Sequence, residues 1–283
     1  MLRLALVLAL VLAATAHAAG PSPGLLQGPA GITTPAQKYR FVTLHGPRAT
    51  KLAAIDKATG RVVRSHSLRG EWGIPYVTFD GTVDGLSRDG KTLVIADWVQ
   101  ARNSPFRPTS SFRIYGTTML DLRSRFTLRG DFSYDALSPD GQTLYLIQHV
   151  GDENDVFKYL VRAYDLRARR LLPQVIADKR QQGWIMRGLP MKRLASADGR
   201  WVYTLYRQDG GYPFVHALDA VNRTAVCIGL PWRWAGSAGE EIASADLRLK
   251  GAKLVIAGGK LLISAGGRQF AIDTDGQKLV SVS

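Results

Sequence analysis

The chain has 283 residues, of which 46% are hydrophobic, and it contains 29 glycines and 13 prolines. This composition excludes a disordered chain and is typical of a turn-rich globular protein. The chain is long enough for one large all-β domain or two smaller ones. The formal net charge of +14 favours polyanionic partners such as cell-wall polymers, anionic lipid headgroups, acidic glycans or nucleic acid, unless it reflects only an arginine-rich surface.

The N-terminus has the pattern of a secretory signal peptide. Arg3 is followed by an unbroken apolar run over residues 4–14, and Ala16 and Ala18 place small residues where a signal peptidase cleaves. The apolar run is too short for a permanent membrane span. We predict a signal peptide over residues 1–18 and a secreted, extracytoplasmic protein without a transmembrane span; a buried N-terminal helix is the alternative. Export argues against nucleic acid as the physiological partner.

Three further features follow from composition along the chain. Residues 19–38 are rich in Gly, Pro, Thr and Ala and are predicted to form a flexible lead-in. Residues 39–283 are predicted to form a single domain. Cys227 is the only cysteine, which excludes an intramolecular disulfide, and its apolar, strand-like surroundings predict a buried and unreactive thiol.

An internal repeat organises the predicted domain. Asp140 and Gly141 form a tight turn that is followed by an alternating apolar run, as expected for a β-strand. The same pattern occurs around Asp89 and around Asp198, which lie 51 residues before and 58 residues after Asp140. Such spacing indicates repeated structural units of roughly 50 residues.

A second kind of hairpin alternates with these turns. It consists of an apolar run that ends in Asp, a short turn and another run, and the carboxylate can accept hydrogen bonds from backbone N–H groups two residues further on. Five copies are predicted, and they end at Asp56, Asp121, Asp165, Asp219 and Asp273. A degenerate copy of the first kind of hairpin is predicted at residues 246–251.

Two alternating hairpins per repeat make a four-stranded antiparallel unit, the size of a propeller blade. We therefore predict an all-β protein, a β-propeller of about five four-stranded antiparallel blades, with six as the alternative. Radial closure protects sheet edges that a flat sheet would expose. The first unit lacks an obvious innermost strand, which either residues 24–37 or the C-terminus could supply.

The repeats resemble those of the TolB-like, YVTN and WD-like propellers. The matching residues are Ser138–Gly141, in a Ser-Pro-Asp-Gly turn, and Ile55–Gly60, which reads Ile-Asp-x-x-Thr-Gly. The resemblance covers residues 39–283 and implies the propeller fold. It implies little about activity, because this fold carries many unrelated functions.

The blade geometry places both families of Asp turns on one face of the disc, and the longer loops on the opposite face. Trp and Arg, which often anchor interfaces, are concentrated in or beside those longer loops. Counting eight residues past each turn glycine gives three equivalent strand-end positions, Trp98, His149 and Arg207. The predicted binding residues are Trp72, Trp98, His149, Trp184, Arg207, Trp232, Arg233 and Trp234. The alternative is that these aromatic side chains fill the spaces between wedge-shaped blades.

Signals for catalysis are weak. The sequence has no Gly-rich phosphate loop, zinc-binding His-Glu-x-x-His motif or nucleophile elbow. We therefore predict no catalytic residues, metal or cofactor. The acidic residues 151–155 are predicted to form a solvated turn, with a calcium site as the alternative.

Two functions remain open from the sequence. The first is a monomeric, non-enzymatic binding or scaffold module for a protein, an anionic polysaccharide or another cell-envelope polymer. The second is an extracytoplasmic, lactonase-like propeller hydrolase with a metal-dependent site at the channel mouth, built from Asp97, His149 and Glu153.

Overall fold

The structure is a computed structural model, and it describes residues 22–34, 36–99, 104–180, 185–208, 212–232 and 248–283. The predicted signal peptide over residues 1–18 lies outside this part of the chain. The described residues form 22 β-strands and a single helical turn at residues 248–250. Among them, no helix has the length and apolar character needed to cross a bilayer.

The strands form five antiparallel sheets, and the first two sheets come from the N-terminal half of the chain. The first sheet contains β2 (Gly28–Ile32), β3 (Tyr39–His45), β4 (Ala49–Asp56) and β5 (Val62–Arg69). The second sheet contains β1 (Leu25–Leu26), β6 (Trp72–Pro75), β7 (Thr92–Asp97), β8 (Thr109–Gly116) and β9 (Asp121–Arg129), in that spatial order.

The remaining three sheets follow in chain order. The third contains β10 (Asp131–Leu137), β11 (Thr143–His149), β12 (Lys158–Asp165) and β13 (Arg170–Ile176), with the short β14 (Met186–Arg187) also paired to β12. The fourth contains β15 (Leu189–Ala195), β16 (Trp201–Arg207), β17 (Phe214–Asp219) and β18 (Thr224–Gly229). The fifth contains β19 (Lys253–Ala257), β20 (Lys260–Ala265), β21 (Arg268–Asp273) and β22 (Lys278–Val282).

These sheets are the blades of a β-propeller, which confirms the predicted fold class. Inner segments of two blades meet near the axis: Phe79, which follows β6, donates a backbone hydrogen bond to the carbonyl oxygen of Pro190 of β15, two blades away. The five sheets confirm five rather than six blades in the described part of the chain.

The second, third and fourth blades are hydrophobic on both faces, because each packs between two neighbours. In β11, Leu144 and Leu146 pack against the second blade, whereas Tyr145 between them packs against the fourth. Four buried clusters of this kind join the first blade to the second, the second to the third, the third to the fourth and the fourth to the fifth. Period-two alternation therefore builds the whole core.

The Asp-Gly turns have the same structure in three blades. In the third blade, Ser138 donates a 2.5 Å hydrogen bond to Asp140, and the Asp140 carboxylate accepts one of 3.0 Å from the backbone N–H of Gln142. Gly141 has φ 69°, a left-handed conformation that glycine adopts without strain. The turns at Asp89 and Asp198 repeat these bonds, so the predicted repeat is confirmed at atomic detail.

The outer hairpins are also confirmed, with one correction. In the first blade, the Asp56 carboxylate accepts 3.0 Å hydrogen bonds from the backbone N–H groups of Ala58 and Thr59, as predicted. In the second blade, however, Asp121 is not the equivalent residue. Gly116 occupies the Asp position, and Asp121 lies across the ladder from it as the first residue of β9. The predicted end of this strand lies too far along the chain, because the apolar Met119 has the hydropathy of a strand residue. Met119 belongs instead to the turn and is 63% exposed.

The N-terminal lead-in is corrected as well. Of the residues predicted to be flexible, 25–26 and 28–32 are strands β1 and β2. Strand β2 supplies the missing innermost strand of the first blade, one of the two predicted sources, and β1 pairs with the inner strand of the second blade. The propeller therefore begins before Tyr39, because these backbone groups take part in sheet ladders.

The fifth blade has its inner hairpin at Gly258 and Gly259, not at the degenerate copy predicted over 246–251. Asp246 itself lies outside the described residues. One face of this blade packs on the fourth blade, but its other face is solvent-exposed, with Val255 52% and Leu262 39% exposed. No described residues cover that face, so contact between the fifth and first blades, which ring closure requires, is not seen there.

Candidate functional site

The predicted binding residues divide between the core, the rim and the part of the chain that is not described. Trp184, Arg233 and Trp234 lie outside the described residues. Trp72 and Trp232 are 8% and 3% exposed, and each belongs to a hydrophobic cluster between two blades. These two tryptophans fill the spaces between blades, as the alternative interpretation expected.

Trp98 lies on the rim, directly after β7, and is half-buried. The Arg107 guanidinium lies over its ring, 5.2 Å from the centroid. Arg107 forms a buried ion pair of 2.7 Å with Asp131 and donates a 3.2 Å hydrogen bond to the carbonyl oxygen of Asp97. This pair is 5% and 3% exposed and ties the long loop of the second blade to the start of the third.

His149 ends β11 and pairs across the ladder with Asp131. Its Nε2 lies 2.9 Å from the Ser133 hydroxyl, while its Nδ1 is buried and has no hydrogen-bond partner among the described residues. Burial lowers the pKa of His149 to about 4, although Asp131 acts in the opposite direction. The imidazole is therefore neutral at pH 7.

A small cavity lies next to His149 near the propeller axis. Its volume is about 20 Å³, which is the space that one water molecule needs. It is lined by residues of β10, β11 and β15, and by the rings of Tyr159 and Tyr206. The cavity is too small for an organic ligand in this conformation.

A buried ion pair joins the third and fourth blades beside this cavity. Arg193 on β15 is 6% exposed and forms an ion pair and hydrogen bonds with Asp135 on β10. Asp135 lies at a β-bulge, which turns its side chain towards the neighbouring blade. Burial raises the pKa of the nearby Asp84, against the lowering effect of Arg193. No sequence pattern indicated this pair, because its two residues are 58 positions apart in the chain.

Arg207 lines a larger cleft, which lies on the long-loop face of the propeller. This cleft has a volume of about 340 Å³ and lies between residues 153–157 of the third blade and residues 187–189 and 207–208 of the fourth. Gly188 and Phe157 line both this cleft and the cavity at His149. Trp98, His149 and Arg207 therefore lie along the rim of three successive blades, and they do not line one common pocket.

The acidic segment 151–155 is part of the cleft wall. The Asp152 carboxylate accepts hydrogen bonds of 2.9 and 3.0 Å from the backbone N–H groups of Asn154 and Asp155. Asp155 forms ion pairs with Arg187 at 2.6 Å and with Lys158 at 3.6 Å. The segment is thus a capped turn whose two aspartates pair with cations of the protein.

A second cleft of about 420 Å³ adjoins the first, and both are lined by Arg187 and Gln208. Its apolar wall includes Ile185, 53% exposed, and Tyr212, 41% exposed, together with Phe214. We call the two clefts together the rim groove. Ile185 and Tyr212 are not among the predicted binding residues, although both lie in the long loops predicted for this face.

Cys227 lines the second cleft but is not activated. Its thiol lies 3.7 Å from Nδ1 of His216, and burial raises the pKa of Cys227 to about 12. Burial also lowers the pKa of His216 to about 4, so neither partner supplies the charge that a thiolate needs. This geometry agrees with the predicted unreactive thiol.

The residues suggested for a hydrolase have structural partners or lie apart. The buried Asp97 accepts a 2.7 Å hydrogen bond from the backbone N–H of Ser111, His149 is bonded to Ser133, and Glu153 is exposed on the cleft wall. Within the described part of the chain, no group of three His, Cys, Asp or Glu side chains is placed to hold a metal ion.

No protein-family model and no curated protein matches the sequence. Among solved structures, the chain is similar to TolB from Acinetobacter baumannii, with 15% identity and a TM-score of 0.42 over 85% of this chain and 50% of that chain. It is also similar to the Dos1 propeller, with 10% identity and a TM-score of 0.48 over 86% of this chain and 56% of that chain. A puromycin hydrolase matches with 14% identity and a TM-score of 0.44 over 91% of this chain and 40% of that chain.

The five antiparallel sheets make the protein a β-propeller, and a TolB structure and the Dos1 propeller are among the solved structures to which it is similar. The chain spans half the length of the TolB chain that it matches. These neighbours have mixed roles, and at such low identity the likeness concerns the fold alone.

Proposed function

We propose that this protein is an exported, monomeric binding module that holds a segment of a partner protein in the rim groove. The observation that carries the proposal is the groove itself: two adjoining clefts of about 340 and 420 Å³ on the long-loop face, where Arg187 and Gln208 line both. Clefts of this size on a rigid scaffold are where ligands usually bind.

The chemistry of the groove favours a protein partner. Ile185 and Tyr212 expose large apolar surfaces in the same cleft as Arg187. The side chain of Arg187 is 55% exposed. Aromatic and arginine side chains supply most of the affinity in protein interfaces. The charges of the first cleft are mixed, since Glu153 and Asp155 line it together with Arg187, and this suits a peptide better than a highly charged polymer.

Selection of peptides from a displayed random library on the immobilised protein tests the proposal. Enriched peptides should bind in solution and lose at least about tenfold in affinity, which is about 1.4 kcal/mol, when Ile185→Ser and Tyr212→Ala are combined. The matched control combines Met119→Ser with Val255→Ser, two exposed apolar residues on other surfaces, 63% and 52% exposed. Enriched peptides that bind the groove variant as tightly as the wild type would show that the groove is not the site.

The hydrolase alternative gains no support from the described residues. Its three suggested side chains do not converge, and the low pKa of His149 follows from burial rather than from a catalytic partner. The proposed secreted or extracytoplasmic location is supported by the signal-peptide pattern of the N-terminal sequence.

A further inference from the structure

A cluster of positive charge lines the outer mouth of the wedge between the first and second blades. From the first blade, β5 contributes Arg64 and His66; they lie on the same face of the strand as Leu68, which packs in the cluster joining the two blades. From the second blade, β8 and β9 contribute Arg113 and Arg125, which are direct cross-strand partners. We call these four residues the basic wall.

One ring contact of the basic wall crosses the wedge, and two others hold arginines of the wall against rings of their own blades. His66 lies 6.3 Å from the ring of Tyr115 on the opposite blade. The Arg113 guanidinium lies 4.4 Å from the centroid of Trp72, and the Arg64 guanidinium lies 5.5 Å from that of Tyr39. Both rings pack on the hydrophobic cluster between the first and second blades.

The charges of the wall are not neutralised within the described protein. Directly opposite like charges in a sheet are unfavourable, and the side chains of Arg113 and Arg125 start only about 5 Å apart. None of the three arginines of the wall forms an ion pair with a described carboxylate. Nη1 of Arg64 is buried and lacks a hydrogen-bond partner among the described residues. Such an arrangement is stabilised by an anion bound between the blades.

The wall extends along the blade. Thr127 and Arg129 follow Arg125 on the same face of β9 and are exposed, and the Thr127 hydroxyl lies 3.0 Å from that of Ser111. Arg129 is about 13 Å further along the strand than Arg125. A single phosphate cannot reach both residues, whereas a linear polymer with repeated negative charges can.

We propose that the basic wall is a second binding site, distinct from the rim groove, for a linear anionic polysaccharide that runs along β9. Single-stranded nucleic acid is the less suitable polyanion, because proteins bind it by stacking bases on aromatic rings. Here the faces of Tyr39 and Trp72 are already covered by guanidinium groups. Carboxylate or sulfate groups need only the guanidinium and hydroxyl donors that line the wall.

Fluorescence anisotropy with labelled dextran sulfate and, as competitors, neutral dextran and a mixed-sequence DNA oligonucleotide tests this proposal. We expect binding that weakens as salt rises and that neutral dextran does not compete. The variant Arg113→Gln with Arg125→Gln should lower the affinity at least about tenfold. A second variant, Arg125→Gln with Arg129→Gln, leaves the stacked Arg113 intact and should show a similar loss with unchanged thermal stability.

The control removes the same charge elsewhere: Arg167→Gln with Arg170→Gln changes two exposed arginines of the outer hairpin in the third blade. We expect less than about a twofold change for it, as for surface charges far from a site. Equal losses in control and wall variants would overturn the proposal, because binding would then reflect only net charge. Tighter binding of the DNA than of dextran sulfate would overturn the choice of polymer.

Discussion

The hydroxyl of Tyr145 in the third blade donates a 2.9 Å hydrogen bond to the carbonyl oxygen of Ala220, in the outer hairpin of the fourth blade. Tyr203 holds the same repeat position in the fourth blade, four residues after the turn glycine. Its hydroxyl accepts a 3.1 Å hydrogen bond from Gln277, in the outer hairpin of the fifth blade. Buried tyrosines thus fasten successive blades near the face that carries the Asp turns.

Replacing Tyr145 by Phe should lower the free energy of unfolding by about 1 to 3 kcal/mol, because it leaves the Ala220 carbonyl without a donor in the core. Urea denaturation measures the change. The control is Met119→Leu in the outer hairpin of the second blade, at a residue that is 63% exposed, which should alter stability by less than about 0.5 kcal/mol. Equal effects of the two substitutions would show that the hydrogen bond between blades contributes nothing to stability.

Replacing Trp232 by Ala should destabilise the protein by about 3 to 5 kcal/mol, since the ring is 3% exposed and packs 5.9 Å from the ring of Phe270. Trp98→Ala should cost less, because that side chain is only half-buried. Thermal or urea unfolding of both variants makes the comparison. A stable Trp232→Ala variant would contradict its placement between the fourth and fifth blades.

Truncating either partner of the buried pair Arg107 and Asp131 should cost about 3 to 5 kcal/mol, because a charge is left unpaired in the core. Replacing both by Leu should cost clearly less than the two single truncations added together. A double-mutant cycle in urea measures this coupling. Additive effects would mean that the two groups do not interact.

The protein should begin to lose stability in acid at pH values higher than those at which most carboxylates titrate. Burial lowers the pKa values of His149 and His216 from 6.5 to about 4 in the folded state. Between pH 4 and 6.5 the unfolded chain therefore binds more protons than the folded protein does. The stability that is present above pH 6.5 is lost as the pH falls towards 4. The loss is at most about 3 kcal/mol for each histidine.

Unfolding free energies at about pH 7, 6 and 5 measure this dependence, since these values span the interval between the two states' pKa values. His216→Phe removes one of the two groups, and its stability should fall less steeply with acid than that of the wild type. A parallel fall in both proteins would show that His216 is not the group responsible.

Export predicts a mature protein that begins near Ala19. Mass spectrometry of the protein released by its host measures the N-terminus. Ala18→Glu places a large charged residue at the predicted cleavage site and should leave residues 1–18 attached. Ala30→Glu, at an exposed position of β2, is the control outside the site and should not affect processing; cleavage elsewhere would move the predicted boundary.

Much of the fold could be predicted from sequence because it depends on local pairs. The Ser-x-Asp-Gly turns form bonds between residues two to five positions apart, such as Ser138 with Asp140 and with the N–H of Thr143, so each copy specifies its own hairpin. The apolar run after Gly141 predicted a strand, which is β11 in the structure. The same locality explains the slip at Asp121, where an apolar turn residue has the hydropathy of a strand.

Only the tertiary structure decided what the side chains do at the blade interfaces and on the rim. The sequence pattern suggested one common role for Trp72, Trp98 and Trp232, whereas the structure buries two of them and stacks the third on Arg107. It also pairs Arg193 with Asp135, and it places Arg113 beside Arg125 on the blade face that packs against the first blade. Such contacts depend on how rigid blades meet around an axis, a distance and angle between elements that no local hydropathy pattern encodes.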